Sequence, residues 1–218
     1  MIELCASLLA ANHAHIARDV AAVEGCGVKR LHFDVCDGHY TRNIIFGNQL
    51  IKDLRVESKS YFDVHLAVYK TASILETFLE CGAQMINIQY ESCEHPEQLI
   101  KIIHAHSLDA GICFVPATGF NTIKHFIGKV EAVNLLAVNP GIGGQQFDYS
   151  VLDKIKKVTK YIKKYQLRTK VSVDGGVNLS TLKDVIDAGA DIAIIGSGIF
   201  SGNITENIQR LQVMITNL

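Results

Sequence analysis

Two imidazoles and two carboxylates stand where core strands should run. His32 and Asp34 alternate through "RLHFDVC", His65 lies in "YFDVHLA", and Asp174 closes "KVSVD". Each stretch is otherwise apolar and β-branched, the composition of a strand buried on both faces. Side chains two apart share a face. His32 and Asp34 therefore oppose Leu31, Phe33 and Val35; Asp63 and His65 oppose Val64 and Leu66; Asp174 opposes Val171 and Val173. An ionised carboxylate in such a place is costly unless paired, hydrogen-bonded or metal-bound. Two histidines and two aspartates from three strands suit one divalent first-row metal ion, Zn²⁺, Fe²⁺, Mn²⁺ or Co²⁺. Any one His–Asp pair alone reads as a structural hydrogen bond; four converging groups favour the metal.

Glycines mark a second subsite. "NPGIGGQ" (139–145), "DGGVN" (174–178) and "GSG" (196–198) follow three successive strand candidates. Glycine lets backbone N–H groups approach an anion closely, and Asn178 is expected to cap the helix that follows. A metal beside two carboxylates, with a phosphate grip across the mouth, describes a sugar-phosphate site. The metal would polarise a ketose carbonyl and stabilise an enediolate. Carboxylates on opposite sides of one carbon would remove and return its proton. The chemistry implied is epimerisation next to a carbonyl.

These residues need a scaffold that brings strand ends together. Periodicity predicts strands at 2–8, 29–35, 61–66, 85–89, 110–115, 132–138, 170–174 and 191–196. Helices fit at 13–24, 47–56, 71–81, 96–106, 121–128, 149–165, 180–188 and 204–216. "EGCGVKRLHF", "ECGAQMINI" and "DAGADIAII" repeat one junction, in which glycine stops a helix and a strand follows at once. Eight such units with short links predict an α/β chain forming one (β/α)8 TIM-barrel domain over 1–218. The loops after strands seven and eight are the common phosphate site of such barrels. An open doubly wound sheet would want a glycine fingerprint after the first strand, and "SLLAANHAH" has none.

The 21 Lys and Arg against 22 Asp and Glu leave no basic stripe for nucleic acid. "KIKKVTKYIKKY" (154–165) spaces its lysines around Ile155, Val158 and Ile162, as a solvated helix face does. The opening residues lack the pattern of a signal peptide, and no apolar run reaches membrane-spanning length. Six cysteines without a C-x-x-C pair suggest reduced thiols and a cytoplasmic setting.

Taken together, the motifs resemble those of the ribulose-phosphate 3-epimerase family. "HFDVCDGHYTRNIIFG" is similar to its H-x-D-x-M-D-G-x-F-x-x-N-x-x-F-G block, and "DVHL" to its second histidine strand. "VNPGIGGQQF" resembles its mobile loop, "VDGGVN" and "GSGIF" its last two signatures, and "ASLLAAN" its opening. The likeness runs from residue 5 to about 200. It implies a ribulose-phosphate-binding type of barrel, a homo-oligomer, and His32, Asp34, His65 and Asp174 as metal ligands. Asp34 and Asp174 would double as the acid/base pair, Ser7 would hold substrate oxygens, and Gly143, Gly144, Gly176, Gly196 and Ser197 would line the phosphate site. Both histidines must be neutral to ligate, so acid should release the metal.

The departures fall around the carbon chain of the substrate. Cys36, Ala67 and Leu136 occupy positions where the family has methionines; Ala6, Asn12, Val115 and Gln89 replace proline, aspartate, asparagine and histidine. Cys36, Ala67 and Leu136 are therefore expected to line an altered pocket, open to a longer sugar such as a ketohexose 6-phosphate, with Cys36 a small apolar wall residue. Two other readings are a lyase or aldolase on the same scaffold and a non-catalytic sugar-phosphate binder. The first needs a lysine at a strand's C-terminal end, whereas Lys29 and Lys170 sit at strand starts. The second has no use for two buried carboxylates.

Overall fold

Eight parallel strands close on themselves, because the first pairs with both the second and the last. The computed structural model describes residues 2–218. Its strands are β1 (Glu3–Ser7), β2 (Arg30–Asp37), β3 (Ile44–Ile45), β4 (Tyr61–Ala67), β5 (Met85–Gln89), β6 (Asp109–Phe114), β7 (Ala132–Leu136), β8 (Lys170–Asp174) and β9 (Ile192–Ile195). The order is β1-β9-β8-β7-β6-β5-β4-β2-β3, and the β1–β2 pairing completes the ring. The result is a TIM barrel, as expected. The addition is β3, which folds back antiparallel onto Cys36 and Asp37 and lengthens β2 beyond its predicted end.

The helices are α1 (Ile16–Gly25), α2 (Asn48–Glu57), α3 (Leu75–Leu79), α4 (Pro96–Ala105), α5 (Phe120–Ile123), α6 (Val151–Tyr165), α7 (Leu182–Ala188), α8 (Ser197–Phe200) and α9 (Ile204–Thr216). Among the described residues, none is long and apolar enough to cross a membrane. The predicted 71–81 helix divides at Ile74 into a 3₁₀ turn at Thr71–Ser73 and the short α3. The predicted 121–128 helix is only α5. The short α8 has too few residues to show a periodicity. Gly27, Gly82 and Gly189 all have positive φ at the three repeated junctions, the conformation a side chain disfavours. Asn178 does not cap α7. Its carboxamide oxygen accepts from the Ser180 N–H, and Thr181 precedes the helix with no side-chain cap.

Alternation divides the interior in two. Leu31, Phe33, Phe62, Val64, Ile86, Ile112, Val133 and Val173 face outward and pack under the helices. Ile208 and Leu211 of α9 belong to this annulus, and the Gln212 carboxamide ties the helix to the Cys26 carbonyl at 2.8 Å. The inward face carries a small separate apolar cluster of Cys5, Ile192 and Ile194. Arg30, His32, Asp63, Asn87, Asn134 and Ser172, also buried, share that inward side by alternation.

Filling the lumen with polar groups demands close fit. Asn87 donates its amide N–H to Asp63, and the Asn87 carboxamide oxygen lies 1.7 Å from where a Cβ on Gly111 would stand. Gly111 is thus required by a neighbouring side chain and not by its own backbone. Gly111→Ala should displace Asn87 and destabilise the fold by about 1–3 kcal/mol, the usual cost of overpacking. A lowered denaturation midpoint at unchanged slope would report it.

Candidate active site

Strands β2 and β4 run in register, His32 beside Asp63 and Asp34 beside His65. Because paired residues project to the same side, the four side chains form two stacked levels inside the barrel. Below them, Arg30 donates to Asp63 Oδ2 at 3.1 Å and to Glu3 Oε1 at 3.1 Å, and lies over the Tyr61 ring. Asp63 Oδ1 accepts from His32 Nδ1 at 3.2 Å. That bond fixes which nitrogen of His32 carries a proton on the lower side and turns Nε2 upward. Nε2 stands 3.3 Å from Asp34 Oδ1 and 3.9 Å from Asp174 Oδ2. Asp34 Oδ1 is also 3.1 Å from His65 Nδ1, and Asp34 Oδ2 accepts from the Ser7 hydroxyl at 3.2 Å.

One ligand-capable atom from each of His32, Asp34, His65 and Asp174 lies within 4.8 Å of the others. His32 Nε2 is fully buried and lacks a hydrogen-bond partner, since the carboxylates nearby stand off its bonding direction. An orphaned imidazole nitrogen between two carboxylates is what a divalent cation would satisfy, and the N2O2 donor chemistry fits one. The residues present therefore fit the ion. Asp63 behind His32 stands where an outer carboxylate would orient a ligating imidazole.

Electrostatics separates the two central carboxyls. Burial pushes Asp34 up, but the charge on His32, with His65 beside it, outweighs that and holds Asp34 far below the usual range. Burial and the neighbouring Asp34 charge push Asp174 up to about 6. Burial would lower His32, yet Asp34 and Asp63 raise it well above its ordinary value.

Above the carboxylates opens a cavity. Its inner wall includes Ser7, Asp34, His65 and Asp174; its outer wall includes Gly143, Gly144, Gly176, Gly196 and Ser197. A Cβ on Gly176 would come within 2.7 Å of the Phe147 backbone nitrogen, so only glycine leaves this wall open. Leu136 lines the cavity. Cys36 and Ala67 do not. They face each other on β2 and β4, almost wholly buried, at the end where β3 folds back onto Cys36.

Three residues outside the expected set hold the site together. Asp63 shares the inward face of β4 with His65, so its position was readable, but its bond to His32 depends on cross-strand register. Gln89 accepts from His65 Nε2 at 2.8 Å, and Glu91 in turn accepts from Gln89. Strand alternation signals neither of these contacts.

Comparison with known proteins agrees with this architecture. KGPDC from Streptococcus mutans superposes with a TM-score of 0.72 at 15% identity, covering 100% of this chain and 98% of the other. A tryptophan synthase alpha-subunit from Pyrococcus furiosus does so at 0.72 and 13%, covering 97% of each. At such identities the likeness is one of fold. Sequence relatives carry more. A ribulose-phosphate 3-epimerase from Serratia marcescens is 36% identical over 195 residues, 89% of this chain and 93% of that protein. One from Bacillus subtilis is 34% identical over 201 residues, covering 92% and 93%. With its residues 3–200 matching the family's own pattern, the chain belongs to the ribulose-phosphate 3 epimerase family.

Proposed function

We propose that the chain inverts C3 of a ketose phosphate, interconverting ribulose 5-phosphate and xylulose 5-phosphate, with Asp34 and Asp174 as the acid/base pair. One observation carries the reading: buried Asp34 and partly exposed Asp174 flank a single imidazole nitrogen at a cavity whose outer wall includes four glycines, Gly143, Gly144, Gly176 and Gly196. Gly143, Gly144, Gly176, Gly196 and Ser197 would take the phosphate, and Ser7 a substrate oxygen. C3 then lies between the two aspartates. Asp34, kept ionised by its histidines, suits proton removal; Asp174, raised toward neutrality, suits delivery to the opposite face. The roles exchange in the reverse direction. His32 Nε2, Asp34, His65 Nδ1 and Asp174 would hold one Zn²⁺, Fe²⁺, Mn²⁺ or Co²⁺. When bound, that ion supplies positive charge to the carbonyl and enediolate oxygens. A cytoplasmic homo-oligomer acting on a small sugar phosphate remains the setting we assign.

Cys36 and Ala67 lie outside the cavity lining, so their small side chains add no room for a longer sugar, and we assign a pentulose. In D₂O, ribulose 5-phosphate should acquire deuterium at C3. A ketohexose 6-phosphate should turn over at least about tenfold more slowly, since one misfitting group costs 1–3 kcal/mol. Equal rates would overturn the size argument. Asp174→Asn should cut epimerisation to xylulose 5-phosphate by about 10²–10⁴-fold while inhibition by inorganic phosphate changes little. Persistent epimerisation would remove Asp174 from its role.

Protonation and metal uptake oppose each other here. The raised His32 and Asp174 stabilise the metal-free fold fully below their unfolded values, and that stability is lost as pH rises through their folded ones. Depressed Asp34 and Asp63 act oppositely, losing their contribution as pH falls below about 4. Metal-free protein should thus melt at a lower temperature at about pH 8 than at about pH 5. Saturating Zn²⁺ should reverse the order, because binding expels the His32 proton. Thermal scans with and without a chelator measure both.

A further inference from the structure

The strongest unexplained contact is the amide chain behind His65. Gln89 is fully buried at the end of β5, and its carboxamide oxygen accepts from His65 Nε2 at 2.8 Å. Its NH2 group faces two acceptors, a carboxylate oxygen of Glu91 and, at 3.4 Å, the Cys113 carbonyl. Turning the amide over would set oxygen against both, so its orientation is chemically dictated. Glu91 is itself held. Its other carboxylate oxygen accepts from the Val115 N–H at 3.1 Å and from the Thr118 hydroxyl. Lys154 of α6 pins the same loop by donating to the Val115 and Pro116 carbonyls at 3.2 and 2.6 Å.

We propose that Gln89 and Glu91 are positioning residues that fix the tautomer of His65. An oxygen acceptor at Nε2 requires the proton there, so Nδ1, 3.1 Å from Asp34 Oδ1, is the nitrogen whose lone pair is offered when a cation takes the site. A histidine at position 89, the family's usual residue, could present either a donor or an acceptor to His65; the held amide presents only an acceptor. Glu91 therefore acts at a distance, through one amide, on which nitrogen of His65 is free to ligate. The proposal deepens the metal reading above and rests on His65 as a ligand.

Two measurements on the full chain test it. Histidine ring ¹⁵N correlation spectra of chelator-treated protein should show His65 protonated at Nε2, and a mixture of tautomers in Gln89→Leu and in the isosteric Glu91→Gln. Zn²⁺ affinity, read by competition with a chromophoric chelator, should weaken about 10–100-fold in Gln89→Leu and by a smaller factor in Glu91→Gln. Should Gln89→Leu fail to fold, Glu91→Gln decides alone. An Nδ1–H tautomer in the parent, or parental spectra and affinity in both variants, would overturn the proposal. A parent chain that takes up no Zn²⁺ would instead refute the metal reading, and the tautomer spectra would still decide the relay.

Discussion

The aim of His32 depends on the ion pair between Arg30 and Asp63. Both charges are buried in the lumen, so each must be met by protein. Arg30 answers Asp63, Asp63 orients His32, and His32 aims its free nitrogen at Asp34 and Asp174. Removing any lower member would leave a buried charge unanswered and the upper members unaimed. The site is thus a column that starts at the opposite end of the barrel from the cavity it serves. Glu3 and Tyr61 belong to it as much as Ser7 does, because they fix the guanidinium at its base.

The column also explains why the lumen accepts so little apolar filling. Cys5, Ile192 and Ile194 form one apolar patch, Met85, Cys113 and Ala132 also face inward, and among them sit polar groups that fit closely, as Asn87 does against Gly111. Such a lumen sacrifices hydrophobic burial, and the annulus beneath the helices supplies it instead. The same division lets one barrel serve unlike chemistries, since the outer layer carries the fold while the inner one is rewritten. The likeness to KGPDC and to a tryptophan synthase subunit at 13–15% identity is one of fold.

Much of this was legible before the structure. Two-residue alternation put His32, Asp34, His65 and Asp174 on inward faces, and glycine at the strand ends marked the outer wall. What alternation cannot supply is which inward residues meet. Asp63 faced the lumen from the first, yet only the register of β2 against β4 makes it the partner of His32. Gln89 stood out merely as a missing histidine; its meaning comes from Glu91 two residues on, beyond the end of the strand. Cys36 and Ala67 misled for a related reason. They sit on the correct face, but β3, two residues long and invisible to any periodicity, changes what surrounds that end of the barrel.

The bond from Gln212 to the Cys26 carbonyl bears on how such a chain drifts over generations. The family's pattern ends at residue 200, and α9, which closes the annulus beside α1, lies beyond it. Its anchor asks for a backbone oxygen, which every residue at position 26 provides. Its packing asks for apolar side chains on one face, Ile208 and Leu211 at the centre with Ile204, Met214 and Ile215 beside them. A helix held on such generic terms can change most of its sequence without disturbing the column of charges, so heredity can loosen its hold on the rim while keeping it on the centre.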